Sequence, residues 1–209
     1  MRSLRPLFLS LSLFLCVVCA HTSSAPAQTA SFTTGAENYR VYSASLPFGY
    51  HTAGLAVAIR SRTVPVPDLS DAARSVQREF ASMQADPMLG AAIKQMLSER
   101  PAIELVPRFH ISERVEVLSS DDLDGQLHLH DSPLERKSGW RKFNENHRFD
   151  DGLTEVSAVG YNPAHTVAVF YAIHRSGTGC NDEGFEVLQK TKGQWRRSPD
   201  KGFSFAACN

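Results

Sequence analysis

The last third of the chain constrains the fold most. From residue 155 it reads EVSAVGY, Asn162-Pro163, TVAVFYAIH, a glycine-rich loop, FEVLQK, the tight turn Lys192-Gly193, and QWRR. Short stretches rich in β-branched and aromatic residues, punctuated by turn residues, predict an antiparallel β-meander.

Upstream the pattern is mainly helical. Thr34-Gly35-Ala36-Glu37 has the form of a capping box, opening a helix that carries Tyr39, Tyr42 and Leu46 until Pro47 stops it. In GLAVAIRS, Leu55, Val57 and Ile59 alternate with Ala56, Ala58 and Arg60, which predicts a strand with one core face. Leu69, Ala72, Ala73, Val76, Phe80 and Met83 then recur at helical spacing, with Asp68 or Ser70 as the N-cap. Asp86-Pro87 opens a further helix, bearing Leu89, Ile93, Met96 and Leu97 and ended by Pro101. Weaker signals place extended pieces at 103–106 and 114–118, a short helix bearing Trp140 and Phe143, and a turn at Asp150-Asp151-Gly152. The expectation is an α+β class: a single domain with N-terminal helices packed on an antiparallel sheet and a C-terminal meander.

The N-terminus speaks to location. Arg2 and Arg5 precede an apolar run from Leu7 to Ala20, and no acidic residue occurs before Glu37. That is the form of a signal peptide, with cleavage after Ala20 or after Ala27, and the apolar core is shorter than a bilayer span requires. Neither Cys16 nor Cys19 follows the small residue expected at a lipid-attachment site. The organisation expected is therefore residues 1–27 as a removed signal peptide, 28–35 as a flexible leader, and 36–209 as the domain, periplasmic or secreted. Roughly 180 residues would remain, enough for one hydrophobic core.

Charge excludes some partners. Loss of Arg2 and Arg5 from 22 basic residues, against 22 acidic ones, leaves a slight acidic excess. No basic stripe marks a nucleic-acid surface and no later apolar run could span a membrane, so a protein or small-molecule ligand is the remaining expectation. Of four cysteines, Cys180 and Cys208 survive cleavage, and in an oxidising compartment the default for such a pair is a disulfide.

Two stretches resemble chemistry. DDLDGQLHLHD, residues 121–131, aligns partly with a calcium loop, with Ser120 at position one, Asp122 at three, Asp124 at five, Gly125 at six and Asp131 at twelve. A calcium loop needs aspartate at the first of these and glutamate at the last. Alternatively His128 and His130, on one face of a strand, could chelate a divalent metal with Asp124 or Asp131, given a third ligand such as His110 or His147. Against both stands a polar segment whose serines and aspartates cap a helix or form Asx turns. The second stretch, HRSGTGCNDEG at 174–184, gathers His174, Ser176, Cys180, Asp182 and Glu183 at the end of a hairpin. No nucleophile elbow, phosphate-cradling loop or H-E-x-x-H zinc motif occurs, and no cofactor is expected.

Several short motifs are spread along the chain. They are Glu37-Asn38-Tyr39-Arg40-Val41-Tyr42-Ser43-Ala44, AVAIRSRT ending at Thr63, Trp140 to Phe143, Val159-Gly160-Tyr161-Asn162, AVFYA, Gly179-Cys180 with Gly184, and Leu188-Gln189-Lys190-Thr191-Lys192-Gly193-Gln194-Trp195. In these the chain resembles a family of uncharacterised exported bacterial proteins with an E-x-Y-x-V-Y-S-A helix and a C-terminal V-G-[FY]-N … Cys/Gly loop … L-x-K-x-x-G-x-W β-meander. The family has no established activity, so the resemblance implies fold and topology and carries over no catalytic residue. Its loop often holds two cysteines where this chain has only Cys180, which leaves Cys208 as the partner. Function remains unknown at this level. The expectation is a non-catalytic exported binding or interaction module; the alternative is a small exported hydrolase or metal-dependent enzyme using 121–131 or 174–184.

Overall fold

The computed structural model describes residues 35–48, 55–98, 102–127, 132–147, 150–177, 180–198 and 200–208. The signal peptide expected at 1–27, the leader up to residue 34, and His128, His130 and Asp131 lie outside them. In chain order the elements are α1 (Ala36–Ser45), β1 (Ala56–Arg60), α2 (Arg74–Ala85), α3 (Pro87–Leu97), β2 (Val115–Leu118), α4 (Ser120–Leu127), α5 (Pro133–Asn146), β3 (Asp150–Val156), β4 (Gly160–Tyr161), β5 (Val167–Arg175), β6 (Cys180–Thr191), β7 (Gln194–Arg197) and β8 (Phe203–Cys208). This is an α+β fold, with the helices in the N-terminal part and most strands in the C-terminal part.

The sheet runs β2-β1-β3-β5-β6-β7, with β4 on β5 and β8 on β6. β3, β5, β6 and β7 form the antiparallel meander. The sheet as a whole is mixed, because β1 pairs parallel to both β2 and β3. β8 and β7 share one edge of β6, and their register sets Cys180 directly opposite Cys208.

Side-chain alternation along β5 separates two cores. Ala168, Phe170 and Ala172 point to a core closed by Val41 and Tyr42 of α1. Val167, Val169, Tyr171 and Ile173 point to a core under α2 and α3, built with Met83, Leu89, Ile93 and Met96. A third cluster joins Ala58 and Leu153 to Leu123, Leu127, Trp140 and Phe143 of α4 and α5. β1 is consequently buried on both faces, not one, since α1 covers the side bearing Val57 and Ile59 while α4 and α5 cover Ala58.

Several sequence signals act as expected. The Asp86 side chain accepts from the Met88 and Leu89 amides with Pro87 at the first helical position. These hydrogen bonds hold its carboxyl below the ordinary aspartate range. Asn162 is buried, its Oδ1 accepting from the amides of Thr166 and Val167. Gly160 lets α3 approach, since a Cβ there would lie 2.1 Å from the Ala92 carbonyl oxygen. Lys192 and Gly193 both take positive φ, the demand of a two-residue hairpin turn.

Others differ. Glu37 does not turn back to cap α1, whose N-cap is Gly35; its carboxylate is bound by Lys190 and Trp195 instead. α2 begins at Arg74, because Gln77 folds back onto the carbonyls of Leu69, Ser70 and Ala72 and holds them out of the helix. Asp150-Asp151-Gly152 is not a free turn; it lies in β3, where Gly152 at positive φ accompanies a register shift against β1.

Candidate functional site

The acidic stretch forms a helix. Ser120 to Leu127 make α4, with Leu123 and Leu127 buried and Ser119 Oγ accepting from the Asp122 amide. Its outer carboxylates meet β1 and the residues after it. Arg60 donates to Asp124 at 2.6 Å and Arg62 to Asp121 at 2.7 Å, with Ser61 and Ser120 in contact between them. The Arg62 amide also donates to Ser120 Oγ. Arg60-Ser61-Arg62 thus grips Ser120, Asp121 and Asp124, so neither aspartate is left as an uncommitted ligand. Asp121 in turn raises the Arg62 guanidinium above its ordinary pKa by hydrogen bonding.

Among the described residues no three His, Cys, Asp or Glu side chains cluster as a metal site. His110 and His147, the expected third ligands, lie apart. The His110 amide donates to Ser43 of α1, whereas His147 stacks on Phe143 at the end of α5, 3.7 Å from Glu116.

The loop constellation at 174–184 is split between faces of the sheet. Glu183 pairs across β5–β6 with Ile173 and takes the Tyr171 hydroxyl on the α3 side; burial and that hydrogen bond raise the tyrosine pKa. His174 lies on the opposite side, directly between Thr154 of β3 and Asp182 of β6 in the ladder. Thr154 and His174 are both buried and border a small cavity beside Phe48 and Gly152.

On the α3 side a charged seam divides the second core from the third. Glu155, with a side chain only 3 % exposed, accepts a hydrogen bond from Arg175 Nε at 2.6 Å and forms an ion pair with Arg60, whose Nε lies 2.7 Å away without hydrogen-bond geometry. Arg60 is itself nearly buried and shared with Asp124. On the other face Glu186 is buried against Arg197 at 2.5 Å and accepts from Ser45 at the end of α1. These groups tie strands to strands and helices to the sheet.

A different arrangement occurs where α1 meets β6 and β7. Glu37 Oε1 accepts from Lys190 Nζ at 2.6 Å and from Trp195 Nε1 at 2.7 Å, and Lys190 stands 5.1 Å from the centre of the Trp195 ring. Lys190 is the main cause, with Trp195 assisting, of a Glu37 carboxyl held below the ordinary glutamate range. Tyr161 packs on Trp195, donates to Asn38 at 2.6 Å, and carries the stacked ring of His165. Beside this staple lies a groove of about 360 Å³ lined by Arg40, Ser43, Ala44, His110, Gly193, Gln194 and Trp195. Tyr39 and Ser43 position its rim by accepting the amides of Val106 and His110, which lays that segment along α1.

The motif residues Glu37, Lys190 and Trp195 were visible in the sequence, but their convergence was not, because more than 150 positions separate Glu37 from the other two. Arg40, Ser43 and Gln194 carried no signal beyond lying within those motifs. The chain matches no protein-family model, no curated protein and no solved structure.

Proposed function

We propose that the protein is an exported, non-catalytic binding module whose ligand docks in the groove between α1 and the β6–β7 hairpin. One contrast carries this reading. The acidic groups that a catalyst or metal site would draw on, Asp121, Asp124, Glu155 and Glu186, are committed to arginines, while Arg40, His110 and Gln194 converge on a concave surface with hydrogen-bonding capacity in hand. Small-molecule sites combine an apolar lining with a few convergent polar groups, and Ala44 and the margin of the mostly buried Trp195 supply the apolar part. Residues 1–27 act as the signal peptide and 36–209 as the domain, periplasmic or secreted, in the family of exported proteins that the motifs resemble.

A Cys180–Cys208 disulfide belongs to the same proposal. Directly opposed residues of an antiparallel pair sit about 4.5–5.5 Å apart at Cα, within the range that a disulfide bridges.

The test is an NMR titration of the protein with small neutral and charged ligands: benzoate, benzamide, N-acetylglucosamine and glycylglycine. Saturable shifts centred on the Trp195 indole, with the Trp140 indole unmoved, are the expected result. The absence of any saturable shift at the groove refutes the assignment. A second reading, an exported hydrolase, has the Thr154–His174–Asp182 row in its favour, a hydroxyl, an imidazole and a carboxylate on one face of neighbouring strands. Hydrolysis of p-nitrophenyl acetate that disappears in His174→Ala would establish it instead.

A further inference from the structure

We infer that the groove selects a small organic anion, a carboxylate joined to a flat apolar body, with Arg40 as the residue that recognises the charge. This rests on the groove being the binding site.

The electrostatics begin at Glu37. Its Oε1 is taken by Lys190 and Trp195, and its charge is answered by the Lys190 ammonium at 2.6 Å. Arg40, one helical turn further on, is left with a long 3.6 Å contact to Oε2 and a side chain 68 % exposed. Its planar fork of donors is therefore available, and that fork matches a carboxylate in bidentate geometry.

The rest of the lining agrees with this sign of charge. No acidic side chain borders the groove among the described residues. Ser43 Oγ accepts from the His110 amide, which leaves its own hydroxyl proton to donate. The His110 imidazole and the Gln194 amide make no hydrogen bond among the described residues and supply further donors at the rim. Lys192, exposed in the turn next to Gly193, adds a second positive charge nearby. Trp195, 7 % exposed, is the large apolar side chain of the lining, and beside Ala44 its uncovered margin suits the edge of a flat apolar body. The volume, about 360 Å³, lies at the small end of ligand sites and suits one ring with its substituents.

Benzoate and benzamide share shape and differ in charge, which makes them the probes. Benzoate should shift the Trp195 indole, His110 and Gln194 resonances saturably, with an affinity on the order of 1 mM, and benzamide should bind at least about tenfold more weakly. Raising the salt concentration should weaken benzoate selectively. Arg40→Gln should remove the difference between the two probes, and Arg40→Lys should restore only part of it. Lys142→Gln, an equal charge change on α5, should leave it intact. Arg40 is exposed on α1, so these variants keep the fold, which unchanged resonances of the core methyl groups would verify.

Equal binding of benzoate and benzamide, or a preference that persists in Arg40→Gln, overturns the anion assignment while the groove remains a binding site. Shifts at the groove with N-acetylglucosamine or glycylglycine but with neither aromatic probe do the same. Silence at Trp195 with every probe overturns the binding site as well.

Discussion

Replacing Glu155 by glutamine should be among the most damaging single changes of charge in this protein. The carboxylate is almost wholly buried; one oxygen accepts from Arg175 Nε at 2.6 Å and the other is ion-paired with Arg60 at 2.7 Å. Glutamine keeps the shape but removes the negative charge, and it offers one carbonyl oxygen and an NH₂ group where two guanidinium groups expect acceptors. Breaking a buried pair by deleting one partner costs about 3–5 kcal/mol, because the remaining charge stays out of water. Arg60 retains Asp124 at 2.6 Å, and Arg175 is about one-fifth exposed, so both find some relief and the lower end applies, about 3 kcal/mol. With a urea slope of about 2 kcal/mol per molar, the unfolding midpoint should fall by roughly 1.5 M. Circular dichroism during urea titration measures this. Replacing the whole trio together, Arg60→Met, Glu155→Leu and Arg175→Met, should recover most of the loss, since well-packed apolar groups substitute for a buried ion network without its desolvation cost. A midpoint shift below about 0.5 M for Glu155→Gln, or a triple variant weaker than the single one, refutes the charge argument.

Three further outcomes are expected. Gly160→Ala should lose about 1–3 kcal/mol or more in denaturant titration, because its Cβ would meet the backbone of Ala92 and Met96, whereas Gly125→Ala, with nothing within 4 Å, should gain up to about 1 kcal/mol in α4. The Glu37 carboxyl is lowered in the folded state, so its stabilising contribution is complete above the ordinary glutamate value and is lost as pH falls below it through the folded value; the acid limb of the stability curve below about pH 4.5 should therefore be shallower in Glu37→Gln. Non-reduced protein should be two hydrogens lighter than reduced protein by intact mass, and Cys180→Ser and Cys208→Ser should destabilise equally, by roughly 3 to 4 kcal/mol on the chain-entropy account; free thiols in both positions would defeat the bridge.

What could be read from the sequence was what local chemistry decides. Asp86-Pro87, Asn162-Pro163 and Lys192-Gly193 act within a few residues of themselves, and the structure uses each as expected. The meander followed from the same kind of signal. α4 was harder to see, since only Leu123 and Leu127 give it an apolar side and its hold on the protein comes from Arg60 and Arg62, about 60 positions away. β8 escaped because a short edge strand is defined by the partner it finds on β6. The parallel pairing of β1 likewise depends on where distant strands arrive. The groove was invisible for the same reason, as its two walls come from opposite ends of the chain.

The staple of Glu37 onto Lys190 and Trp195 has a consequence for the order of folding. α1 is the first described element to emerge during synthesis, yet Lys190 and Trp195 come among the last residues, so Val41 and Tyr42 meet only part of their core, Val57, Ile59 and Leu105, until Phe170, Leu188 and Trp195 have been made. Such long-range closure slows folding and prolongs the exposure of apolar side chains. Truncation before Lys190 would therefore leave α1 without this anchor, held only by the core partners made earlier.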